Sequence, residues 1–387
     1  MGQVYPTTRQ ISLSRRGLDR PHVRITRYNL WKNLVSPYLE PHRLPVVSGG
    51  ILADFAHNEQ PRVIDDLRVT DDDPAAEYLD GQRSLLAIPL FDGGMALNTL
   101  VLTREEPAAF PREQVPELVW MSTLFGRAMQ TLVLSDRLRA AYDAADFELS
   151  AIADLQQSLL PRAVPQVPGL EIAVHYQTAH QSGGDYYDFF QRPDGKLGLL
   201  VADVSGHGTP AAVLMAITHS LAHAHPDPCA GPGELLTYLN ARLAKWYTKG
   251  GNFVTAVAAV IDPVAGTLTY STAGHTPARF CRFDDKTWRP LPAPHRLPLG
   301  VDSREAPYPK ETIRFHAGDR VAFYTDGLID LTDPAGDPYG YDRLDAALST
   351  APSRAADTVD SVLADIDRFG AGAPQVDDRT LLVVSRV

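Results

Sequence analysis

Apolar positions recur along the chain with two periods, and the switch between them marks its elements. Arg62–Leu67 reads as a short strand running into a turn, and Asp71-Asp72-Asp73-Pro74 as a turn or helix start, since proline suits a first helical position. Ser84–Leu90 is a buried strand, and Ala96–Leu102 is the returning one. Between them Phe91-Asp92-Gly93-Gly94-Met95 offers the turn residues a hairpin needs. Pro116–Leu160 then carries one long helical pattern. Within it Leu138, Tyr142, Ala145, Leu149 and Ile152 are spaced four, three, four and three, and Leu155 and Leu159 continue the stripe until Pro161 ends it. The stripe suits either a helix packed on its own domain or a two-stranded coil. The heptad-like spacing favours the coil and hence a homodimer.

Beyond Pro161, strand patterns fall at Gly169–Tyr176, Leu197–Ala202, Phe253–Ile261, Thr267–Ser271, Arg320–Tyr324 and Thr380–Val384. Helical patterns fall at Pro210–His223, Gly233–Tyr247, Asp342–Leu348 and Ser353–Arg368. Neighbouring strands with helices in separate pairs predict an α+β sandwich. The opening stretch is mildly basic (Arg9, Arg15, Arg16, Arg20, Arg24) and poorly periodic, so residues 1–24 are expected to be a solvated leading segment.

Composition narrows the function. A chain of 387 residues suits two domains and a connector, and a net charge of −11 disfavours general nucleic-acid binding, which needs a basic face. Cys229 and Cys281 are too few for a disulfide framework or a zinc ribbon. No apolar run approaches the roughly 20 residues that span a bilayer, and the first residues lack the apolar core of a signal peptide. The expectation is a cytoplasmic protein with no membrane partner.

The chemistry concentrates in aspartates. Four places in the second half hold them in turns or at strand ends: Gly183-Gly184-Asp185-Tyr186-Tyr187-Asp188, Ala202-Asp203-Val204-Ser205-Gly206-His207-Gly208, Tyr324-Thr325-Asp326-Gly327 and Val376-Asp377-Asp378-Arg379. A lone Asp-Gly is more often a turn than a ligand, as expected for Asp194-Gly195. A set of carboxylates at strand ends is rigidly aimed, and such groups repel one another unless cations neutralise them. Oxygen ligation favours Mg²⁺ or Mn²⁺ over zinc, without deciding between the two.

The segments "LQQSLLP", "GGDYYDFF", "VADVSGHGTPAAVLMA", "FVTAVAAVID", "STAGHTPA", "LPLG", "FYTDGLID" and "DDRTLLVV", in that order, resemble the PPM-type (protein phosphatase 2C-like) enzymes. Within them the likeness is to the bacterial branch of sporulation and sigma-factor regulatory phosphatases. The earlier "VIDDL", "SLLAIPLFDGG" and "AFPREQVPELVWMSTLFGRAM" resemble a GAF domain, a sensory module. These resemblances imply a GAF-like α/β sensor at 25–134, a helical coiled-coil linker at 135–160 and a PP2C-like αββα sandwich at 161–387. They imply two divalent cations, with Asp203 bridging both, the Val204 carbonyl helping to hold one, and Asp326 and Asp377 completing the other. Asp185 corresponds to the early aspartate of the family, and Asp378 is a partner of its neighbour Asp377 among the metal ligands, since the motif offers two adjacent carboxylates. Asp203 and Asp326 would act through a metal-bound water that attacks a phosphoserine or phosphothreonine, with no covalent phosphoenzyme. The substrate implied is a phosphorylated protein, typically an anti-anti-sigma factor of the STAS type. Eukaryotic members grip phosphate with an arginine and place a histidine beside the metals. Here Ser205 follows the bridging aspartate by two, and His207 and His275 read more readily as loop and turn residues than as proton donors. A non-catalytic scaffold and a metal phosphoesterase with another substrate are the rival readings. The complete aspartate set opposes the first, and the lack of a Lys-bearing Gly-rich loop opposes a nucleotide enzyme.

Overall fold

Strand alternation and helix periodicity sort the chain into two units, Met1–Asp143 and Ala144–Val387, in the computed structural model. The structure describes residues 8–28, 41–92, 95–248, 250–292, 296–303, 306–373 and 375–387.

The first unit is built on β1 (Arg9–Ser14), β2 (His22–Tyr28), β3 (Val46–Ser48), β4 (Arg62–Ile64), β5 (Ser84–Asp92) and β6 (Met95–Arg104), an antiparallel sheet in the order β3-β2-β1-β6-β5-β4. Two short helices, α1 (Gly50–Ala56) and α2 (Ala76–Leu79), cover one face, where Ile11, Leu13, Val23, Ile25, Leu52 and Leu85 form the core. The start of α3 (Val115–Leu159) covers the other, with Val115, Leu118 and Val119 against Leu86, Ile88 and Leu102. Residues 8–24, the described part of the expected solvated leader at 1–24, are therefore not one. From Arg9 onward they supply two strands, and β1 lies in the middle of the sheet, paired with β2 and β6. Arginines and serines on the outer face had masked a strict alternation, in which Ile11 and Leu13 point inward. The β5–β6 hairpin forms as expected, although its Gly93 and Gly94 lie outside the described residues.

The second unit has four layers. One sheet, β14-β11-β10-β9-β8, contains β8 (Tyr186–Gln191), β9 (Leu197–Val204), β10 (Val254–Asp262), β11 (Thr267–Ala273) and β14 (Glu311–Arg314). The other, β13-β12-β15-β16-β7, contains β7 (Leu170–Gln177), β12 (Arg279–Cys281), β13 (Trp288–Pro290), β15 (Arg320–Tyr324) and β16 (Arg379–Arg386). Leu199, Val201, Phe323 and Leu382 fill the space between the sheets. On the outside of the first sheet, α4 (Thr209–His223) and α5 (Pro232–Trp246) pack on Leu200, Ala202 and Val204. On the outside of the second, α6 (Gly340–Thr350) and α7 (Ala355–Gly370) pack on Ala322, Tyr324, Leu381 and Val383. The central strands β9, β10, β15 and β16 are thus buried on both faces, which explains their near-continuous apolar runs. The sequence pattern omitted β8 and the short β12, β13 and β14. In β8 aromatic residues stand on both faces and erase the alternation, and β12–β14 span only three or four residues each.

Helix α3 runs unbroken for 45 residues. Leu138, Tyr142, Leu149 and Leu155 of its stripe are exposed, between 40% and 67%.

Candidate metal centre

Strand parity brings the aspartates together. In β9, Leu197, Leu199 and Val201 face the space between the sheets, and Asp203 continues that face at the strand's end. Asp185, just before β8, faces the same space from the neighbouring strand. From the opposite sheet, Thr325 at the end of β15 and Thr380 in β16 reach across, and both hydroxyls donate to Asp185 Oδ2, at 2.7 and 2.6 Å. The Thr380 amide in turn donates to Thr325 Oγ1 at 3.0 Å. Asp185 is thereby fixed at the seam between the two sheets. Asp326 follows Thr325 in a single 3₁₀ turn, and Asp377 precedes β16.

Asp378 behaves differently from its neighbour. Its Oδ1 accepts from the Ala179 amide at 2.8 Å, and its Oδ2 accepts from the amides of Gly184, at 2.6 Å, and Asp185, at 3.3 Å. It clamps the loop before β8, and the glycines there are obligatory. A Cβ on Gly183 would stand 2.0 Å from Asp378 Oδ2, one on Gly327 1.9 Å from the Asp378 carbonyl oxygen, and one on Gly184 2.7 Å from the Val204 carbonyl oxygen. The Val204 carbonyl therefore comes to the same corner as Asp185.

The carboxylates form a crowded group of like charges. Burial, then the charge of Asp203, raises the Asp185 carboxyl well above its ordinary range. Burial, followed by Asp326, Asp377 and Asp378, pushes Asp203 up to about 8. Burial, then Asp377 and Asp330, raises Asp326. Asp377 is raised by burial and by the charges of Asp378 and Asp330, with His207 opposing. An all-oxygen group that resists ionisation by itself is suited to hard divalent cations, which supply the missing positive charge.

All five aspartates singled out from the sequence, with the Val204 carbonyl, lie in this one region. His207 is exposed, and its ring stands 5.6 Å from that of His180. Ser205 is structural: its Oγ accepts from the Phe253 amide at 2.9 Å. His275 is buried beside Thr255, 2.8 Å from its Nδ1 to the hydroxyl, and burial pushes its pKa down to about 4. Four participants escaped the sequence reading: Thr325, Thr380, Asp330 and Gln156. Asp330 had a signal in its spacing of four after Asp326. Gln156, in the last turns of α3, lies in the "LQQSLLP" segment, but nothing there marked its side chain as a contact of the site. It is buried and grips Gly183 twice, its Nε2 donating to the Gly183 carbonyl at 2.7 Å and its Oε1 accepting from the Gly183 amide at 3.0 Å.

Known proteins resemble this unit. The chain is 30% identical over 199 residues to the phosphoserine phosphatase RsbU of Bacillus subtilis (strain 168), covering 51% of this chain and 58% of that protein. The crystal structure of the RsbU and RsbW domains of Rv1364c from Mycobacterium tuberculosis aligns with a TM-score of 0.50 at 27% identity, covering 58% of this chain and 63% of that one. The SiaA-PP2C domain of Pseudomonas aeruginosa shares the fold, with a TM-score of 0.57 at 19% identity over 64% of this chain and 99% of that one. The chain spans about half the length of the curated relatives it matches. The stage II sporulation protein E (SpoIIE) family matches residues 193–387, the stretch that carries Asp203, Asp326, Asp377 and Asp378, and the chain belongs to that family.

Proposed function

We propose that the chain is a metal-dependent protein serine/threonine phosphatase that dephosphorylates a partner protein, of the STAS type, in the cytoplasm. The observation that carries this reading is the meeting of Asp185, Asp203, Asp326 and Asp377 at one end of the inter-sheet space, where their charges oppose one another. Asp203, Asp326, Asp377 and the Val204 carbonyl would hold two divalent cations, Mn²⁺ or Mg²⁺, with Asp203 shared between them. Bound there, the cations supply a water of lowered pKa and neutralise charge on a phosphoryl group. Asp185 is oriented by two threonine hydroxyls, and Asp378 acts as a positioning residue, because three backbone amides occupy its oxygens. His207, whose charge acts on Asp377, would be the group to meet the substrate's phosphate or leaving oxygen.

The first unit is read as a GAF-like sensor, and the exposed stripe of α3 as the face that pairs with a second copy. Gln156 gives that helix a direct grip on the loop carrying Asp185, so a change in the coil would reach the carboxylates.

Hydrolysis of p-nitrophenyl phosphate and of a phosphothreonine peptide tests the reading, with wild type and Asp203→Ala each assayed in Mn²⁺ and in excess EDTA. Activity that needs metal and falls by at least about 100-fold in the variant is expected, since removal of a shared ligand disables the bound water. Equal activity in the variant would sink the mechanism.

A further inference from the structure

A second group of ligands lies on the opposite face of the same sheet. Asp188 is on β8, two residues beyond Tyr186, so both side chains point toward α4 rather than into the space between the sheets. On α4, His219 and His223 are four residues apart and share one face. Their rings lie 4.5 Å apart, centroid to centroid. His223 Nε2 is 2.7 Å from Asp188 Oδ2, and His219 Nδ1 is 3.5 Å from the same oxygen. One ligand atom from each of the three residues falls within 4.8 Å of the others.

We propose that Asp188, His219 and His223 form a metal site, separate from the carboxylate centre, that takes a divalent transition metal of the zinc class. Donor chemistry selects the ion: two imidazoles and one carboxylate suit Zn²⁺, Co²⁺ or Ni²⁺ and not the hard ions expected at the aspartates. Ligands about 2.0–2.1 Å from a tetrahedral ion lie ~3.3 Å from one another, and the two nitrogens stand 2.7 and 3.5 Å from Asp188 Oδ2, so a shift of a few tenths of an ångström in His223 would admit the ion. The carboxylate is already held as a metal ligand should be. Its Oδ1 accepts from the Phe189 amide at 2.7 Å, and its Oδ2 accepts from the Tyr186 hydroxyl at 2.6 Å. Such outer contacts fix a ligand's orientation before the ion arrives. His223 also lines a cavity of about 350 Å³, shared with His225 and Asp227, which gives the ion a path of entry and an open fourth position.

The ion would pin the last turns of α4 to β8. Each element also borders the carboxylate centre: α4 starts five residues after Val204, and β8 starts directly after Asp185. Occupancy would stiffen two sides of that centre without contributing a ligand to it.

Co²⁺ titration of the full-length chain tests the site, with visible d–d absorption as the readout. A site with nitrogen donors and low coordination number absorbs far more strongly than an octahedral all-oxygen one. The proposal expects an intense band saturating at about one equivalent, retained in Asp203→Ala, displaced by Zn²⁺, and weakened at least tenfold in apparent affinity by His223→Ala. The His223 ring is half exposed, so this variant is expected to unfold in EDTA at the wild-type temperature, which separates lost binding from lost folding. No intense band, or a band that survives His223→Ala unchanged, overturns the proposal. So does a band that disappears in Asp203→Ala.

Discussion

A carboxylate that is both buried and ringed by other carboxylates, as Asp203 is, makes the metal-free protein sensitive to pH. Its folded-state pKa of about 8 exceeds the ordinary 3.8, so the folded state holds the proton more tightly than the unfolded one. Stability from this group is fully present below about pH 4, and it is lost as pH rises through that value toward 8. In excess EDTA, Asp203→Asn is expected to match wild type near pH 4 and to exceed it near pH 8 by on the order of 1–3 kcal/mol. Denaturant melts at the two pH values check this, and saturating Mn²⁺ should reverse the order at pH 8. At this scale the sequence was informative about the ionisable groups. Asp203, Asp326 and Asp377 stand out because each lies at the end of an apolar run. It was silent about their supports. Thr325 and Thr380 look like ordinary strand residues until the two sheets face each other, and Gln156 touches Gly183 across 27 positions of chain.

Among the elements, α3 was the most legible and β1 and β2 the least. A 45-residue helix keeps its period long enough to outweigh local noise, whereas the six or seven residues of β1 and β2 hold only two inward apolar positions each among arginines. The exposed stripe on α3 carries a testable expectation. Leu149→Pro removes an amide donor and clashes with the preceding turn, costing the helix about 3 kcal/mol or more. The variant should show half the wild-type mass in light scattering, together with reduced or unregulated phosphatase activity. Unchanged mass with unchanged activity would count against both the paired coil and its coupling to the aspartates.

Across the whole molecule, each unit owns its core. Ile11, Leu13, Leu52 and Leu85 belong to the first, and Leu199, Val201, Phe323 and Leu382 to the second. Calorimetry is therefore expected to resolve two transitions. Mn²⁺ at about 100 times its dissociation constant should add ~2.7 kcal/mol to the one that melts the carboxylate centre and leave the other in place. A single transition raised as a whole by Mn²⁺ would refute independent melting. Among the described residues, no helix is long and apolar enough to cross a membrane.

The strand order of the second unit bears on how the protein is made. β16 is an interior strand, hydrogen-bonded to β15 on one side and to β7 on the other, so the first and last strands of this unit are neighbours. It also brings Asp377, Asp378 and Thr380. A growing chain on the ribosome can form the first sheet and α4 and α5, but it has a gap where β16 belongs and lacks Thr380 and Asp378, two of the residues that hold Asp185. Competence would arrive only once β16 has paired with β7 and β15, so chains that stop short of it would be inert rather than unregulated enzyme.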